Sequence, residues 1–140
     1  MEHTALIEKY FKARETSDEK IFFEIFDNDI EIYNVHFPMY KGRKGVKEYN
    51  NDFKKRISQC SFQVINIMEK EMDNKKIILA EWKASLTYRA GVLVGDSTVK
   101  KPFTFELRGV NRFDIAQGKI TCLRIYHETT TAARLAKENS

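Results

Sequence analysis

Six polar side chains in the sequence share one property: the local residue pattern directs each of them toward an apolar interior. They are Tyr10, Asn34, His36, Trp82, Tyr88 and His127. A buried polar group without a partner costs about 1–3 kcal/mol, so such groups must meet each other, the backbone or a ligand. Several of them converging on one apolar surface are typical of a small-molecule site. The sequence therefore predicts a ligand pocket lined by these residues.

Acid–base chemistry in such a pocket would depend on His36 and His127, because only their side chains titrate near neutral pH. Tyr10 could donate a hydrogen bond to a ligand oxygen, and Asn34 could orient the ligand or a water molecule. Each residue also has a structural interpretation. The tyrosine could bond the backbone, the asparagine could tether the end of a strand, and the histidines could be satisfied wall residues. Both interpretations remain open from the sequence.

Two segments supply the apolar surface. Every second residue of segment 78–88 is apolar or aromatic, and side chains alternate between the two faces of a strand. Segment 103–128 predicts a long hairpin that turns at residues 116–119, where Gly118 can adopt a positive φ. The residues of these inner faces that we expect to contact a ligand are Trp82, Leu86, Tyr88, Phe105 and Ile125.

The remaining segments predict helices that precede most of the sheet. The predicted elements are a helix at 4–15, a second helix capped by Ser17 and ended by residues 27–29, a strand at 30–36, a loop at 40–45 leading into a third helix, a strand at 62–71, a turn at 74–75, a mobile tip at 91–101 and a single helical turn near 132–135. This order predicts an α+β fold. Its curved antiparallel sheet would be covered on the concave face by three N-terminal helices, forming a cone that is open at one end.

The composition of the 140-residue chain predicts one domain over residues 1–140. Acids and bases are interspersed, so the net charge of +4 does not indicate nucleic-acid binding. No segment has the length and hydrophobicity of a membrane span, and the N-terminus lacks a secretion signal, so we expect a cytoplasmic protein. Cys60 and Cys122 are predicted to be reduced thiols. The three histidines lack metal-site spacing, and neither a metal nor a cofactor is predicted.

Four segments in order give the chain a family resemblance. It resembles the nuclear transport factor 2-like superfamily, and within it the SnoaL-like domains, which are polyketide cyclase-like. The segments that carry the resemblance are IEKYFKARETSD, FDNDIEIYNV, YKGRKGVKEY and LRGVNRFDIAQGKITCLRIYHE. The resemblance implies the cystatin-like cone. It does not imply one reaction, because this fold hosts isomerases, hydrolases, cyclases, transport factors and binding domains.

The reactions of these relatives can be compared with this sequence position by position. Tyr10 matches the oxyanion donor of the ketosteroid isomerases of this fold, but Asn34 and Gly109 stand where those enzymes have acids. The related epoxide hydrolases hold a water near Asn34, but their Asp–Arg–Asp set has no match at the inward positions of the later strands. The acid of the SnoaL-type cyclases near the end of the last strand has His127 and Glu128 as its nearest counterparts.

The sequence thus predicts a domain that binds a hydrophobic or aromatic small molecule with a polar end. Two alternatives stay open: an isomerase, cyclase or hydratase that works by proton transfer, and a non-catalytic module for ligand binding or protein interaction. A homodimer is also expected, because the outer face of the sheet carries a mixed surface that could pack against a copy of itself. The residues of this surface are Arg108, Val110, Cys122, Arg124 and Tyr126.

Overall fold

A six-stranded sheet lies at the centre of the structure, a computed structural model that describes residues 3–35 and 37–140. The elements in chain order are α1 (His3–Thr16), α2 (Glu19–Ile25), β1 (Phe26–Asn34), β2 (Tyr40–Lys41), α3 (Gly42–Arg56), β3 (Ile57–Met72), β4 (Lys75–Tyr88), β5 (Leu93–Val94), β6 (Ser97–Thr98), β7 (Phe103–Ala116), β8 (Lys119–His127) and α4 (Thr130–Glu138). The strand order of the sheet is β2-β1-β8-β7-β4-β3, and β5 with β6 forms a separate ribbon. The α+β class and the curved, helix-covered sheet are as predicted.

The inner face of the sheet follows the two-residue alternation of the sequence. In β4, Ile78, Ala80, Trp82, Ala84 and Leu86 are all buried, as the pattern predicts. Their register partners in β7 and β8 continue the same face across the sheet. The first three helices pack on this face through their apolar stripes, and the residues buried between the layers form one core. The sheet and these three helices therefore enclose the hydrophobic core.

One strand pair differs from the prediction of an antiparallel sheet. β1 runs parallel to β8, with Asn34 opposite Ile125 and Ile32 opposite Leu123. The other pairs of the described sheet are antiparallel. Parallel neighbours require a long connection rather than a tight turn, and here the chain crosses the whole sheet before it returns beside β1. This pair brings the end of the first strand next to the end of the last one.

The boundaries of α2 and β1 also differ from the prediction. Asp18, not Ser17, caps α2: its carboxylate accepts hydrogen bonds from the backbone N–H groups of Lys20 and Ile21 at 3.0 and 3.4 Å. Ser17 instead adopts a φ of 55° in the connection. Residues 27–29 do not form a break, because β1 begins at Phe26 directly after the helix. The strand is therefore longer at its start than the sequence indicated.

Tight turns with positive φ angles join the long strands. Gln117 and Gly118 have φ values of 52° and 76°, in agreement with the predicted hairpin between β7 and β8. Asp73 and Asn74 have φ values of 45° and 65°, so the turn between β3 and β4 falls one residue before the predicted position. Aspartate and asparagine tolerate this conformation better than other non-glycine residues.

The segments predicted as a mobile tip and a single helical turn form a lid over the open end of the cone. We define the lid as the β5–β6 ribbon together with α4, which runs for nine residues. The backbone N–H groups of Lys100 and Lys101 donate to the carbonyl of Asn139 at 2.8 and 3.1 Å. Val99 and Ala136 are fully buried at this contact. α4 is thus an integral part of the fold.

No helix of the described residues is long and apolar enough to cross a membrane.

Candidate functional site

The inner face of the sheet, α1, α3 and the lid enclose a cavity of about 430 Å³. This volume lies within the usual range for small-molecule sites. Most of its wall is apolar. All five residues that the sequence predicted as ligand contacts line it, namely Trp82, Leu86, Tyr88, Phe105 and Ile125. Of these, Tyr88 stacks on Phe103 and Phe105, with ring centroids 5.3 and 5.8 Å apart, and forms an aromatic wall beside the lid.

Tyr10 reaches the cavity from the middle of α1 and is almost fully buried. Its hydroxyl hydrogen-bonds the hydroxyl of Tyr49 in α3 at 2.7 Å, rather than a backbone carbonyl. Burial raises the pKa of Tyr10, although Arg14, Tyr49 and Asn111 oppose that rise. The phenol is therefore neutral at physiological pH. When Tyr49 is the donor in this pair, the Tyr10 proton is free to hydrogen-bond a ligand oxygen.

Asn34 ends β1 at the cavity and is only 7% exposed. Its Oδ1 atom is buried and has no hydrogen-bond partner among the described residues. Asn34 stands in a row of register partners that continues through Ile125 in β8 and Asn111 in β7. The strand pairing thus fixes an unsatisfied acceptor in an apolar wall, where it can accept a hydrogen bond from a ligand.

Asn111 is a cavity residue that the sequence analysis missed. It is 2% exposed, and its Oδ1 accepts a hydrogen bond from the indole Nε1 of Trp82 at 2.9 Å. The available signal was the alternation of β7, since Asn111 lies at the inward position between Gly109 and Phe113. The bond satisfies the tryptophan and fixes the orientation of its ring against the cavity.

His127 ends β8 and lines the cavity. Its Nδ1 lies 2.9 Å from the backbone carbonyl of Glu128. A carbonyl oxygen only accepts, so Nδ1 carries the proton and Nε2 keeps its lone pair. Burial lowers the pKa of His127; the Glu128 carbonyl opposes this effect, and Arg14 and Arg56 add to it. The ring is therefore neutral at physiological pH and can act as a base.

Gly109 allows the rings of Trp82 and His127 to approach each other. The three residues are register partners across β4, β7 and β8, with the glycine in the centre. The two ring centroids are 6.4 Å apart in an edge-on arrangement. A side chain at Gly109 would occupy the space of the indole. The space that a side chain at position 109 would take is thus filled by the indole of Trp82.

His36, the fourth residue predicted to do chemistry, lies outside the described residues.

Arg14 is the largest omission of the sequence analysis. It lines the cavity one helical turn after Tyr10, on the same stripe of α1, and is only 9% exposed. Its guanidinium carbon lies 3.9 Å from the ring centroid of Phe53, 4.7 Å from that of Tyr49 and 5.9 Å from that of Phe62. Cation–π contacts of this kind contribute about 2 kcal/mol when they are desolvated, but they leave the N–H donors unused.

The charge of Arg14 persists in this environment. Burial acts to lower the pKa of Arg14, but the oxygens of Tyr49 and Tyr10 outweigh it and raise the pKa above its ordinary value. A second cation, Arg56, lines the cavity from the end of α3. Glu128 also lines it, and its carboxylate accepts hydrogen bonds from Thr130 Oγ1 and from the Thr131 N–H at 2.9 and 3.0 Å. That carboxylate is therefore engaged at the start of α4.

No group of three or more His, Cys, Asp or Glu residues in residues 3–35 and 37–140 could hold a metal ion. The polar groups of the cavity include two phenols, two amides, the indole N–H, an imidazole, two guanidinium groups and the engaged carboxylate of Glu128, set in a mostly apolar wall.

The fold matches that of solved structures described as nuclear transport factor 2-like. The family model of the SnoaL-like domain matches residues 7–123, and the chain belongs to this family. The family resemblance predicted from the sequence is thereby confirmed. A search of curated proteins by sequence finds no significant match. The fold is of the ligand-binding or isomerase type.

Solved structures show the same architecture at low sequence identity. A nuclear transport factor 2-like protein of unknown function from Burkholderia pseudomallei superposes with a TM-score of 0.73 at 11% identity over 95% of each chain. A candidate SnoaL-like polyketide cyclase from Shewanella denitrificans gives a TM-score of 0.73 at 13% identity, covering 94% of this chain and 96% of the other. The hexachlorocyclohexane dehydrochlorinase of Novosphingobium barchaimii gives 0.72 at 14% identity, covering 88% and 82%. These identities indicate a shared fold only.

Proposed function

We propose that the cavity binds a hydrophobic or aromatic small molecule with a polar end, and that His127 transfers a proton to or from it. The observation that carries this proposal is the convergence of Tyr10, Asn34 and His127 from three different elements on one apolar cavity. The name of the dehydrochlorinase neighbour, whose substrate is a small molecule, agrees with a ligand of this kind.

The geometry supports a division of roles among the three residues. Nε2 of His127 accepts a proton from a ligand C–H group next to a carbonyl, and the electron pair of that bond moves onto the carbonyl oxygen, which leaves an imidazolium and an enolate. The Tyr10 phenol donates a hydrogen bond to that oxygen, and such a donor is effective in a water-poor wall. Asn34 Oδ1 accepts a hydrogen bond from a hydroxyl or amine of the ligand and fixes its orientation. An isomerisation is complete when the imidazolium of His127 returns the proton to a different atom of the ligand.

A library of small aromatic and alicyclic compounds tests the proposal, with thermal shift as the binding assay. Compounds that raise the melting temperature are then incubated with the protein in deuterated water, where proton transfer appears as deuterium incorporation into the ligand. We expect His127→Asn to slow this exchange about 100-fold or more, because a general base contributes roughly that factor. Ligand affinity should change much less, since the imidazole is one part of a large wall.

The matched control is His3→Asn, because His3 begins α1 and does not line the cavity. Exchange should also rise with pH through the lowered pKa of His127, since the protonated ring cannot act as a base. Arg14 from α1, Arg56 from α3 and the neighbouring Glu128 are the charged groups that set this pKa. Exchange that increases on acidification, or equal exchange by His127→Asn and the wild type, contradicts the role of His127.

A non-catalytic ligand-binding module is the second candidate function, and the shortage of free carboxylates favours it. The carboxylate among the described lining residues belongs to Glu128, and that group is bonded to Thr130 and Thr131. The site therefore lacks an acid that could complement His127. Compounds that bind without any exchange or turnover would support this second function.

The same chain is proposed to form a homodimer through the outer face of the sheet. Val110 and Tyr126 are register partners on that face. They are 36% and 54% exposed, so two large apolar side chains lie side by side in solvent. With Arg108, Cys122 and Arg124 they form the predicted mixed surface, which could pack against a copy of itself.

Light scattering at micromolar concentration should give the mass of two chains. We expect Tyr126→Lys to give the mass of one chain, because the dimer would bury two uncompensated lysines about its symmetry axis. Met72→Lys is the control, since Met72 is also exposed but lies at the end of the β3–β4 hairpin. A wild-type monomer under these conditions would refute the dimer.

A further inference from the structure

We infer that the polar end of the ligand is an anion, such as a carboxylate, and that Arg14 is its counter-ion. The inference rests on the proposed ligand-binding function and names the chemical class of the ligand. It is carried by the surroundings of the Arg14 guanidinium rather than by the residues that were predicted to do chemistry.

The guanidinium of Arg14 is buried without a neutralising partner. Among residues 3–35 and 37–140, Arg14 forms no ion pair, and its side chain donates no hydrogen bond to the protein. Its guanidinium carbon instead lies over aromatic rings of α3 and β3. Buried charges in folded proteins are normally paired. An unpaired one beside a ligand cavity indicates that the partner is supplied by the ligand.

Three acids on the segments that line the cavity are engaged elsewhere. Glu15 accepts a hydrogen bond from the backbone N–H of Phe62 at 2.6 Å. Asp52 accepts one from the hydroxyl of Tyr40 at 2.7 Å. Glu128 accepts hydrogen bonds at the start of α4, as described above. None of these three carboxylates is paired with Arg14.

Arg56 adds to the positive character of the cavity. Its Nε donates to the backbone carbonyl of Asp52 at 3.1 Å, and its guanidinium carbon lies 4.5 Å from the ring centroid of Phe37. Both arginines are thus held by aromatic rings and backbone, not by carboxylates. A neutral apolar ligand would leave both charges uncompensated, whereas an aromatic carboxylate matches the apolar wall and its cations together.

The tyrosine pair gives the anion a second set of contacts. Tyr10 and Tyr49 share one hydrogen bond, and Tyr49 lies under the Arg14 guanidinium. A carboxylate on Arg14 can therefore also accept a hydrogen bond from the Tyr10 hydroxyl. A guanidinium fork and a phenol are both donors, so this end of the cavity selects for acceptor groups.

Matched pairs of probes that differ only in charge test the inference. Naphthoate and biphenylcarboxylate are compared with naphthamide and biphenylcarboxamide, using calorimetric titration of the wild type, Arg14→Met, Arg14→Lys and the control Arg134→Met. Arg134 is an exposed residue of α4 that does not line the cavity. Methionine retains an unbranched apolar chain against Phe53 but removes the charge.

The wild type should bind each carboxylate at least about tenfold more tightly than its amide, the usual minimum effect of a hydrogen bond to a charged group. Arg14→Met should abolish this preference, Arg14→Lys should keep part of it, and Arg134→Met should leave it unchanged. The melting temperature of ligand-free Arg14→Met should stay within a few degrees of that of the wild type, because the loss of the cation–π contacts is offset by the removal of an unpaired buried cation.

Two results would overturn the inference in distinguishable ways. If the wild type and Arg14→Met each bind carboxylates and amides equally, the proposed ligand pocket stands, but the inference of an anionic ligand is wrong. Binding of no probe of either charge, in the wild type as well as the variants, overturns the proposed ligand-binding function itself. A marked fall in the melting temperature of Arg14→Met would show that the arginine has a structural role, and would also contradict the inference.

Discussion

Replacing Gly109 with alanine is expected to lower the free energy of unfolding by about 3 kcal/mol, at the upper end of the usual cost of overpacking. An alanine Cβ would lie 2.6 Å from the backbone oxygen of Tyr126 and closer still to Cζ2 of Trp82. The oxygen belongs to the neighbouring strand and cannot move without opening the β7–β8 ladder. The indole is held by its bond to Asn111. Both obstacles therefore resist relaxation.

The loss should appear as a fall of about 10 °C in melting temperature for a chain of this size. Val110→Ala, at the next position of the same strand but on the outer face, is the control and should cost less than about 1 kcal/mol. A double-mutant cycle with Trp82→Leu separates the two obstacles. We expect alanine at position 109 to be better tolerated when the indole is absent. If Gly109→Ala lowers the free energy of unfolding equally with and without Trp82→Leu, the indole of Trp82 is not what excludes a side chain at position 109.

Replacing Ala133 with tryptophan is expected to weaken ligand binding about 100-fold or more, equivalent to about 2.7 kcal/mol. Ala133 lines the cavity from α4 and is half-buried. It also lies next to the ribbon, within 3.5 Å of where a side chain on Gly95 would begin. An indole at this position has the cavity as its nearest free space. It would bury its own apolar surface there and exclude a ligand of similar size.

Ala133→Trp should weaken ligand binding without lowering the stability of the fold. The melting temperature of Ala133→Trp should stay within a few degrees of the wild type, because the new ring fills space without displacing a core residue. Lys137→Trp, one helical turn further along α4 and exposed, is the matched control and should bind normally. The same titrations used for the aromatic carboxylates measure the effect. Undiminished affinity in Ala133→Trp would place the ligand outside the cavity enclosed by the lid.

The sheet could be predicted from the sequence because its signal is local and repeated. In β4, six alternate positions from Ile78 to Tyr88 face the interior, and a one-residue shift would expose all of them. Tyr10, Asn34 and His127 were placed in the cavity by the same periodicity, together with the order of the elements. Strand alternation and helical spacing therefore determined which side of each element faces the site.

The two features that the sequence did not predict, the burial of Arg14 and the lid, depend on tertiary contacts that leave little trace in the sequence. Arg14 is on the correct stripe of α1, but a lone arginine normally indicates a solvated surface, and only the folded aromatic shell accounts for its burial. The lid consists of two-residue strands and a short helix whose buried residues are Ala132 and Ala136. Such segments carry weak patterns by themselves and are stabilised by contact with each other.

The parallel pairing of the first and last strands has a consequence for synthesis on the ribosome. β1 is made early, but β8, the strand that must lie beside it, emerges only after every other strand of the sheet. Until then the nascent polypeptide has an unprotected β-edge, which is prone to wrong pairings. The wall that joins Asn34 to Ile125 is therefore the last part of the sheet to form, and the cavity can hold a ligand only after β8 has left the ribosome.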